Sequence, residues 1–120
     1  MKSKYKAMVL SCMDPRFQHL VHSFLKKKKL TGKYSAFTIA GAAVGVTHSK
    51  FKKWHNTFYD NLATSIQLHK IEKLIVINHK DCGAAKIANG KKNLVLKMKK
   101  KYTKIHLPNL KKKLKKDFQN

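Results

Sequence analysis

With 120 residues, of which 42% are hydrophobic, the chain is long enough for one small domain with a modest core. Its formal net charge is +23, because 28 basic residues are opposed by only five acidic ones. The longest nearly apolar stretch, residues 36–46, is too short to span a membrane, and residues 7–10 are too few for the core of a signal peptide. This is not the pattern of a membrane-spanning protein, and we expect a cytoplasmic protein with no membrane insertion.

The charge is carried almost entirely by lysine, since Arg16 is the single arginine among the 28 basic residues. Such an excess predicts affinity for polyanions such as nucleic acid. However, the lysines are spread along the chain instead of alternating with aromatic residues on one face, and a codon bias would give the same composition. Incidental polyanion binding and a purely compositional origin therefore both stay open.

The first predicted strand covers residues 5–11 and leads into Cys12. An amphipathic helix follows from Phe17, with lysines at its C-terminal end, and Gly32 closes it. His19 and His22 lie beside its apolar stripe with no thiol nearby in the sequence. We interpret these two histidines as surface residues.

The second predicted strand covers residues 34–39 and runs into a turn of small residues at 40–45. Such a turn indicates either close backbone packing or room for a substrate. Residues 47–56 form a basic, aromatic connector in which Trp54 could pack or stack on a base. We predict that a second helix begins at Thr57.

The third predicted strand contains an uninterrupted apolar run, residues 74–77, and is complete by His79. A strand that is apolar on both faces indicates a parallel sheet. The order strand, helix, strand, helix, strand predicts right-handed crossovers in a small three-layer α/β fold, with helices on both faces of the sheet. In such sheets the functional residues lie in the loops at the carboxyl ends of the strands.

Cys12, His79 and Cys82 stand in two such loops and form a candidate zinc site. Two thiols and an imidazole are typical zinc ligands, and a fourth position would be left for water or for Asp14. An open position is typical of a catalytic zinc. A disulfide between the two cysteines is the less favoured alternative, because the sequence has no secretory pattern.

From about residue 90 the predicted single domain, residues 1–120, continues as a lysine-rich helical region. The pattern weakly favours a helix over residues 93–102, and a last amphipathic helix is predicted to begin at Pro108. Because the chain ends on a predicted helix, the sheet could lack the last strand that such a fold normally has.

Two short motifs follow predicted strands, with Ala40-Gly41 between them: Cys12-x-Asp14-x-Arg16 and His79-x-x-Cys82-Gly83. Together they resemble the zinc-site motifs of the β-class carbonic anhydrases. The resemblance covers about residues 7–85 and is greatest to the short, divergent carbonic-anhydrase-like proteins of bacteria. In those proteins a Cys-x-Asp-x-Arg-Phe opening and an Ile-Asn-His-x-Asp-Cys-Gly-Ala block also occur.

The resemblance implies a β-carbonic-anhydrase-like fold with zinc held by Cys12, His79 and Cys82. It implies that Asp14 and Arg16 form a catalytic dyad beside a metal-bound water. The implied activity is that of a zinc lyase, the reversible hydration of carbon dioxide to bicarbonate. The family precedent also implies a homodimer.

The chain departs from the family pattern at Thr38-Ile39, where the family commonly has Arg-Asn. A polar substrate contact is therefore missing. The N-terminal helices that usually wrap a dimer partner have no counterpart in this sequence.

Three alternatives to an active carbonic anhydrase stay open. The first is a non-catalytic zinc-binding relative in which Asp14 is the fourth ligand. The second is a lysine-rich nucleic-acid-binding protein, whose affinity would fall steeply with salt. The third is a metal-free thiol enzyme with Cys12 or Cys82 as nucleophile and His79 as base.

Overall fold

The structure, a computed structural model, describes residues 4–79, Gly83 and residues 98–104. The strands are β1 (Ala7–Cys12), β2 (Tyr34–Ile39), β3 (Lys73–His79) and β4 (Met98–Lys104). The helices are α1 (Gln18–Lys27), α2 (Ala43–Thr47) and α3 (Lys52–His69). Short 3-10 turns precede two of the helices, at Pro15–Phe17 before α1 and at Ser49–Phe51 before α3.

The strands form a single sheet in the order β2-β1-β3-β4. β1 lies at its centre and pairs in parallel with β2, where Ala7 is opposite Tyr34, and with β3, where Ala7 is opposite Lys73. Because β1, β2 and β3 run in the same direction, their carboxyl ends share one edge of the sheet. We call this the carboxyl edge and the opposite one the amino edge.

Burial follows from the position of each strand in the sheet. All six residues of β1 are buried, as expected for a strand with a neighbour on each side and helices on both faces. Alternate residues of β1 and β3 then fall into two clusters on opposite faces. One cluster packs with α2 and α3 around Leu10, Phe58 and Leu74, and the other packs with α1 around Val9 and Ile75.

This arrangement confirms the predicted three-layer α/β fold with a parallel sheet. The prediction that the second helix begins at Thr57 was wrong, because α3 already begins at Lys52. The turn predicted at residues 40–45 is shorter than expected, because its last residues belong to α2. No helix within the described ranges, which leave out residues 1–3, 80–82, 84–97 and 105–120, is both long and apolar enough to cross a bilayer.

The helix predicted over residues 93–102 is corrected in part by β4, which pairs antiparallel with β3 and places Lys104 opposite Lys73. A fourth strand is therefore present where the sequence predicted a sheet of three. β4 carries four lysines in seven residues, and lysines are typical of edge strands because they oppose pairing with another sheet. The helix predicted from Pro108 lies outside the described residues.

Candidate active site at the carboxyl edge

Cys12 is the last residue of β1 and is buried, with 7% of its surface exposed. The Gly41 backbone N–H donates a hydrogen bond to its Sγ at 3.4 Å. The next residue, Met13, donates its backbone N–H to the carbonyl of Ile39 at 3.3 Å. The turn after β2 therefore fixes both the thiol and the backbone that leaves β1.

The turn after β2, residues 40–42, and the start of α2 are built from backbone geometry and small residues. Gly41 and Ala42 both have positive φ, +82° and +48°, which reverses the chain within two residues. Gly45 packs so closely that a Cβ there would overlap the carbonyl oxygen of Ala40. At the start of α2, the Ala43 N–H donates to Asn78 Oδ1 at 3.3 Å, which ties this turn to β3. The sequence left close packing and substrate access as alternatives here, and the contacts at Gly45 favour packing.

Asp14 and Arg16 form a closed pair in the turn after β1. The Arg16 backbone N–H donates to Asp14 Oδ1 at 2.9 Å, and its guanidinium binds both carboxylate oxygens, with Nη2 2.7 Å from Oδ2. Asp14 is largely covered, with 15% of its side chain exposed, whereas 51% of the Arg16 side chain is exposed. The hydrogen bonds from Arg16 outweigh the cost of burial and lower the pKa of Asp14 from 3.8 to about 2. The carboxylate is therefore ionised at any physiological pH.

Gln18, the first residue of α1, stabilises the turn after β1 by hydrogen bonds to its backbone. Its Nε2 donates to the carbonyl of Cys12 at 2.9 Å and to the carbonyl of Asp14 at 2.8 Å. One side chain thus links the backbone of the candidate ligand to that of the candidate dyad. Sequence reasoning missed this role, because a glutamine at the start of a helix gives no sign of which carbonyls it meets.

His79, the last residue of β3, has a side chain that is only 3% exposed. Its ring stacks on the Phe17 ring, with centroids 4.1 Å apart and planes 25° apart. The same Phe17 ring also contacts Arg16, whose Cζ lies 5.2 Å from the ring centroid. The His79 Nε2 is 4.0 Å from Asp14 Oδ2. The imidazole is thus fixed beside the dyad, and Phe17 packs against both His79 and Arg16. From the sequence, Phe17 was identified as the start of a helix and as the end of the Cys-x-Asp-x-Arg-Phe opening, but these contacts were not predicted.

A pocket of about 300 Å³ opens at the carboxyl edge, next to these groups. Its lining residues all lie at or after strand ends: Cys12, Met13, Asp14, Pro15, Ala40 and Gly83. Gly83, which directly follows Cys82 in the sequence, lines the same pocket as the turn after β1. Cys82 itself lies outside the described residues.

Within residues 4–79, Gly83 and residues 98–104, no group of three histidine, cysteine or acidic side chains is arranged to hold a metal. The donors that the structure does describe nevertheless suit zinc. Cys12 and His79 end adjacent parallel strands, both side chains are nearly buried, and a thiol with an imidazole is a set that zinc prefers. The third predicted ligand, Cys82, adjoins the pocket-lining Gly83 in sequence. The residues present therefore fit a zinc ion.

Comparisons with known proteins match this chain to one family model and to two curated relatives. The family model described as "Putative carbonic anhydrase" matches residues 1–115. An uncharacterized protein of Rickettsia conorii is 28% identical over 92 residues, which cover 77% of this chain and 50% of the relative. An uncharacterized protein of Rickettsia bellii is 26% identical over 92 residues, covering 77% of this chain and 56% of the relative.

The chain thus spans about half the length of these curated relatives. No solved structure gives a significant match. The family model covers nearly the whole chain, including both motifs and all the residues that line the pocket. By that match, the chain belongs to the carbonic-anhydrase-like family that this model describes.

Proposed function

We propose that this protein is a zinc-dependent enzyme that catalyses the reversible hydration of carbon dioxide to bicarbonate. The observation that carries the proposal is the shared pocket. Cys12 and Asp14, from the turn after β1, line it together with Gly83, which follows Cys82 in the second motif. Membership of the carbonic-anhydrase-like family supports the same reaction class.

Cys12, His79 and Cys82 would hold the metal. Bound zinc would supply a Lewis acid that lowers the pKa of water and makes it a nucleophile near neutral pH. Gly41 contributes by its hydrogen bond to Cys12 Sγ, because a donor to the sulfur favours the thiolate and fixes its direction. Phe17 holds the His79 ring in a single plane.

Asp14 would act as a hydrogen-bond acceptor that orients the reacting water. Its pKa of about 2 keeps it ionised, so it accepts hydrogen bonds and donates none. Arg16 holds both carboxylate oxygens, and Gln18 holds the Asp14 carbonyl, so the direction of the carboxylate is fixed on two sides. The same bonds oppose the alternative in which Asp14 becomes the fourth ligand, since the carboxylate would first have to leave Arg16.

The remaining pocket residues suit a small apolar substrate. Met13, Pro15 and Ala40 present mainly hydrocarbon to the space beside Asp14. Carbon dioxide is uncharged and needs no cationic anchor to enter such a pocket, whereas bicarbonate could leave toward the half-exposed Arg16. A cytoplasmic location and a homodimer stay predictions.

The test is zinc content per chain, measured on purified protein together with carbon dioxide hydration before and after a chelator. We expect one zinc per chain and hydration that the chelator abolishes. His79→Ala and Cys82→Ser should each lose zinc and activity, because two protein ligands bind zinc far more weakly than three. His22→Ala, an exposed histidine of α1, is the matched control and should keep both.

Other outcomes separate the alternatives. Full zinc occupancy in Cys82→Ser would overturn the ligand assignment. One zinc without hydration would indicate the non-catalytic relative with a closed site. Chains that purify without zinc, and whose activity is lost on alkylation of the thiols and not on chelation, would indicate the thiol enzyme instead.

A further inference from the structure

The amino edge of the sheet, opposite the candidate active site, gathers exposed lysines from separate parts of the chain. In a parallel sheet with right-handed crossovers, each helix ends and each following strand begins at this edge. The residues that precede β1, end α1, precede β2 and end α3 are therefore brought together. The amino-edge lysines, all exposed, are Lys4, Lys6, the four at residues 26–29, Lys33 and Lys70.

Backbone contacts fix the positions of these lysines relative to each other. The Lys6 N–H donates to the Lys33 carbonyl at 2.7 Å, so the residues before β1 and β2 are side by side. The Lys33 N–H in turn donates to the Leu30 carbonyl at 2.8 Å, which joins this pair to the end of α1. Lys29 and Lys70 have left-handed backbone conformations, with φ of +60° and +56°, where the chain turns after each helix.

Negative charge is scarce at this edge. Within the described ranges the carboxylate side chains are those of Asp14, at the opposite edge, Asp60, in the middle of α3, and Glu72, just before β3. Only Glu72 lies near the amino-edge lysines. Among the described residues, eight cations with one neighbouring carboxylate create a positive potential that attracts a polyanion.

Stabilisation of helix ends does not account for all of these charges. Lysines in or just after the last turn of a helix interact favourably with its dipole, which could explain residues 26–29 and Lys70. Lys4, Lys6 and Lys33 precede strands, where no such dipole acts. Like charges held side by side, as at Lys6 and Lys33, repel one another in the free protein and become favourable when an anion binds between them.

The composition of this surface fits the phosphate backbone of a nucleic-acid duplex better than a membrane. The nearby aromatic rings are covered by lysine: the Lys4 ammonium lies 5.1 Å from the centroid of Tyr5, and that of Lys28 lies 5.7 Å from Phe24. The large apolar side chains that are exposed, among the described residues, are Met13 and Leu20 toward the carboxyl edge and Leu68 in the last turn of α3. A membrane-bound surface would present several such residues on the cationic side.

We propose that the amino-edge lysines form a binding surface for the phosphate backbone of double-stranded nucleic acid. Binding is independent of the nucleic-acid sequence, because lysines contact phosphates as point charges. An arginine could read a base edge with two hydrogen bonds, but the single arginine, Arg16, lies at the opposite edge of the sheet. This surface is separate from the candidate active site, and binding there does not require catalysis.

The test is the salt dependence of binding to a fluorescently labelled 20-base-pair DNA duplex of random sequence, measured by anisotropy on the 120-residue chain. The test variant carries Lys27→Gln, Lys29→Gln and Lys33→Gln. The matched control carries Lys50→Gln, Lys52→Gln and Lys53→Gln, three exposed lysines in the 3-10 turn before α3 and at the start of α3, toward the carboxyl edge. Both variants lower the net charge by the same amount.

We expect the test variant to reduce the slope of log K against log salt by about 2 to 3, since each lost phosphate contact removes about 0.9. Its affinity at 100 mM salt should fall about tenfold or more. The control should change the slope by less than about 1. Equal losses in both variants, or no loss in the test variant, would overturn the proposal, because binding would then follow total charge or another surface.

The membrane alternative is examined with vesicles of phosphatidylcholine containing phosphatidylserine, at the same concentration of accessible phosphate as the duplex. Tighter binding to the vesicles, lost in the test variant and kept in the control, would assign this surface to a lipid headgroup and overturn the nucleic-acid proposal. Tighter binding to the duplex supports it.

Discussion

Two turns support Cys12, and they are built in opposite ways. The turn after β1 is held by charged and polar side chains, through the hydrogen bonds of Arg16 to Asp14 and of Gln18 to two carbonyls. The turn after β2 is held by backbone, through positive φ at Gly41 and Ala42 and the close approach of Gly45 to Ala40. The first turn thus depends on charge and the second on shape.

Because the two turns are held by different interactions, they should respond differently to substitutions and to pH. A charged turn tolerates small changes of volume but depends on pH and on the sign of each group. A close-packed turn is insensitive to pH but does not accommodate an added methyl group without movement. Variants in the two turns should therefore differ both in what they lose and in how that loss varies with pH.

The largest effect is expected from Asp14→Asn. Asparagine can still accept the hydrogen bond from the Arg16 N–H, so the turn should persist, but the negative charge beside the pocket is lost. We expect zinc content to be unchanged and carbon dioxide hydration to fall about 10²-fold or more. Asp60→Asn, an exposed acid in α3, is the control and should be fully active. An Asp14→Asn protein with normal hydration would show that the dyad has no part in catalysis.

Gly45→Ala should reduce stability by about 1–3 kcal/mol, because the new Cβ would meet the backbone oxygen of Ala40. A backbone oxygen cannot move aside as the end of a flexible side chain can. Zinc affinity should fall together with stability, since a shift of the turn also moves the Gly41 N–H from Cys12 Sγ. Thermal unfolding at several pH values measures the loss, which should be constant between about pH 4 and 8.

The control is Gly32→Ala, at an exposed chain reversal where φ is +75° but nothing lies within 4 Å of the new Cβ. It should cost about 1 kcal/mol, from backbone strain alone. If Gly45→Ala is no more destabilising than Gly32→Ala, close packing is not what holds the turn after β2.

Much of the fold could be predicted because its central strands are uninterrupted apolar runs. The bounds of β2 agree with the predicted ones, and β3 ends at His79 as expected. Cys12, predicted to follow a strand over residues 5–11, is instead the last residue of β1. The start of α3 could not be predicted, because its first 3-10 turn is capped by His48 Nδ1, which accepts from the Lys50 N–H at 3.1 Å, and histidine is not a usual capping residue. β4 was missed because its pairing with β3 decides its conformation, whereas its own lysine-rich sequence indicates only exposure.

The residues of the candidate site also divide into those that the sequence identified and those whose contacts only the folded structure shows. Cys12, Asp14, Arg16 and His79 were identified because their spacing is a local property of the sequence, and whether they act as proposed stays a prediction. The contacts of Gln18, Asn78 and Phe17 depend on how separate segments meet after folding. Asn78 alone gave a signal, as a polar residue at the end of an apolar strand next to His79.

Arg16→Gln should have the smallest effect on stability and the clearest dependence on pH. The pKa of Asp14 is lowered from 3.8 to about 2, so the pair contributes stability that is fully present above about pH 4 and is lost as the pH falls through 2. With half of the Arg16 side chain exposed, solvent screening reduces the contribution to about 1 kcal/mol. The measurement is the difference in unfolding free energy between wild type and Arg16→Gln from pH 7 to 2, on chelator-treated protein so that metal release does not add to it. If the difference in unfolding free energy shrinks below pH 4 for Arg16→Gln but stays constant for Gly45→Ala, then charge holds the turn after β1 and close packing holds the turn after β2. A difference that does not change with pH would mean that Arg16 supports the turn by packing on Phe17, and the two turns would then be alike.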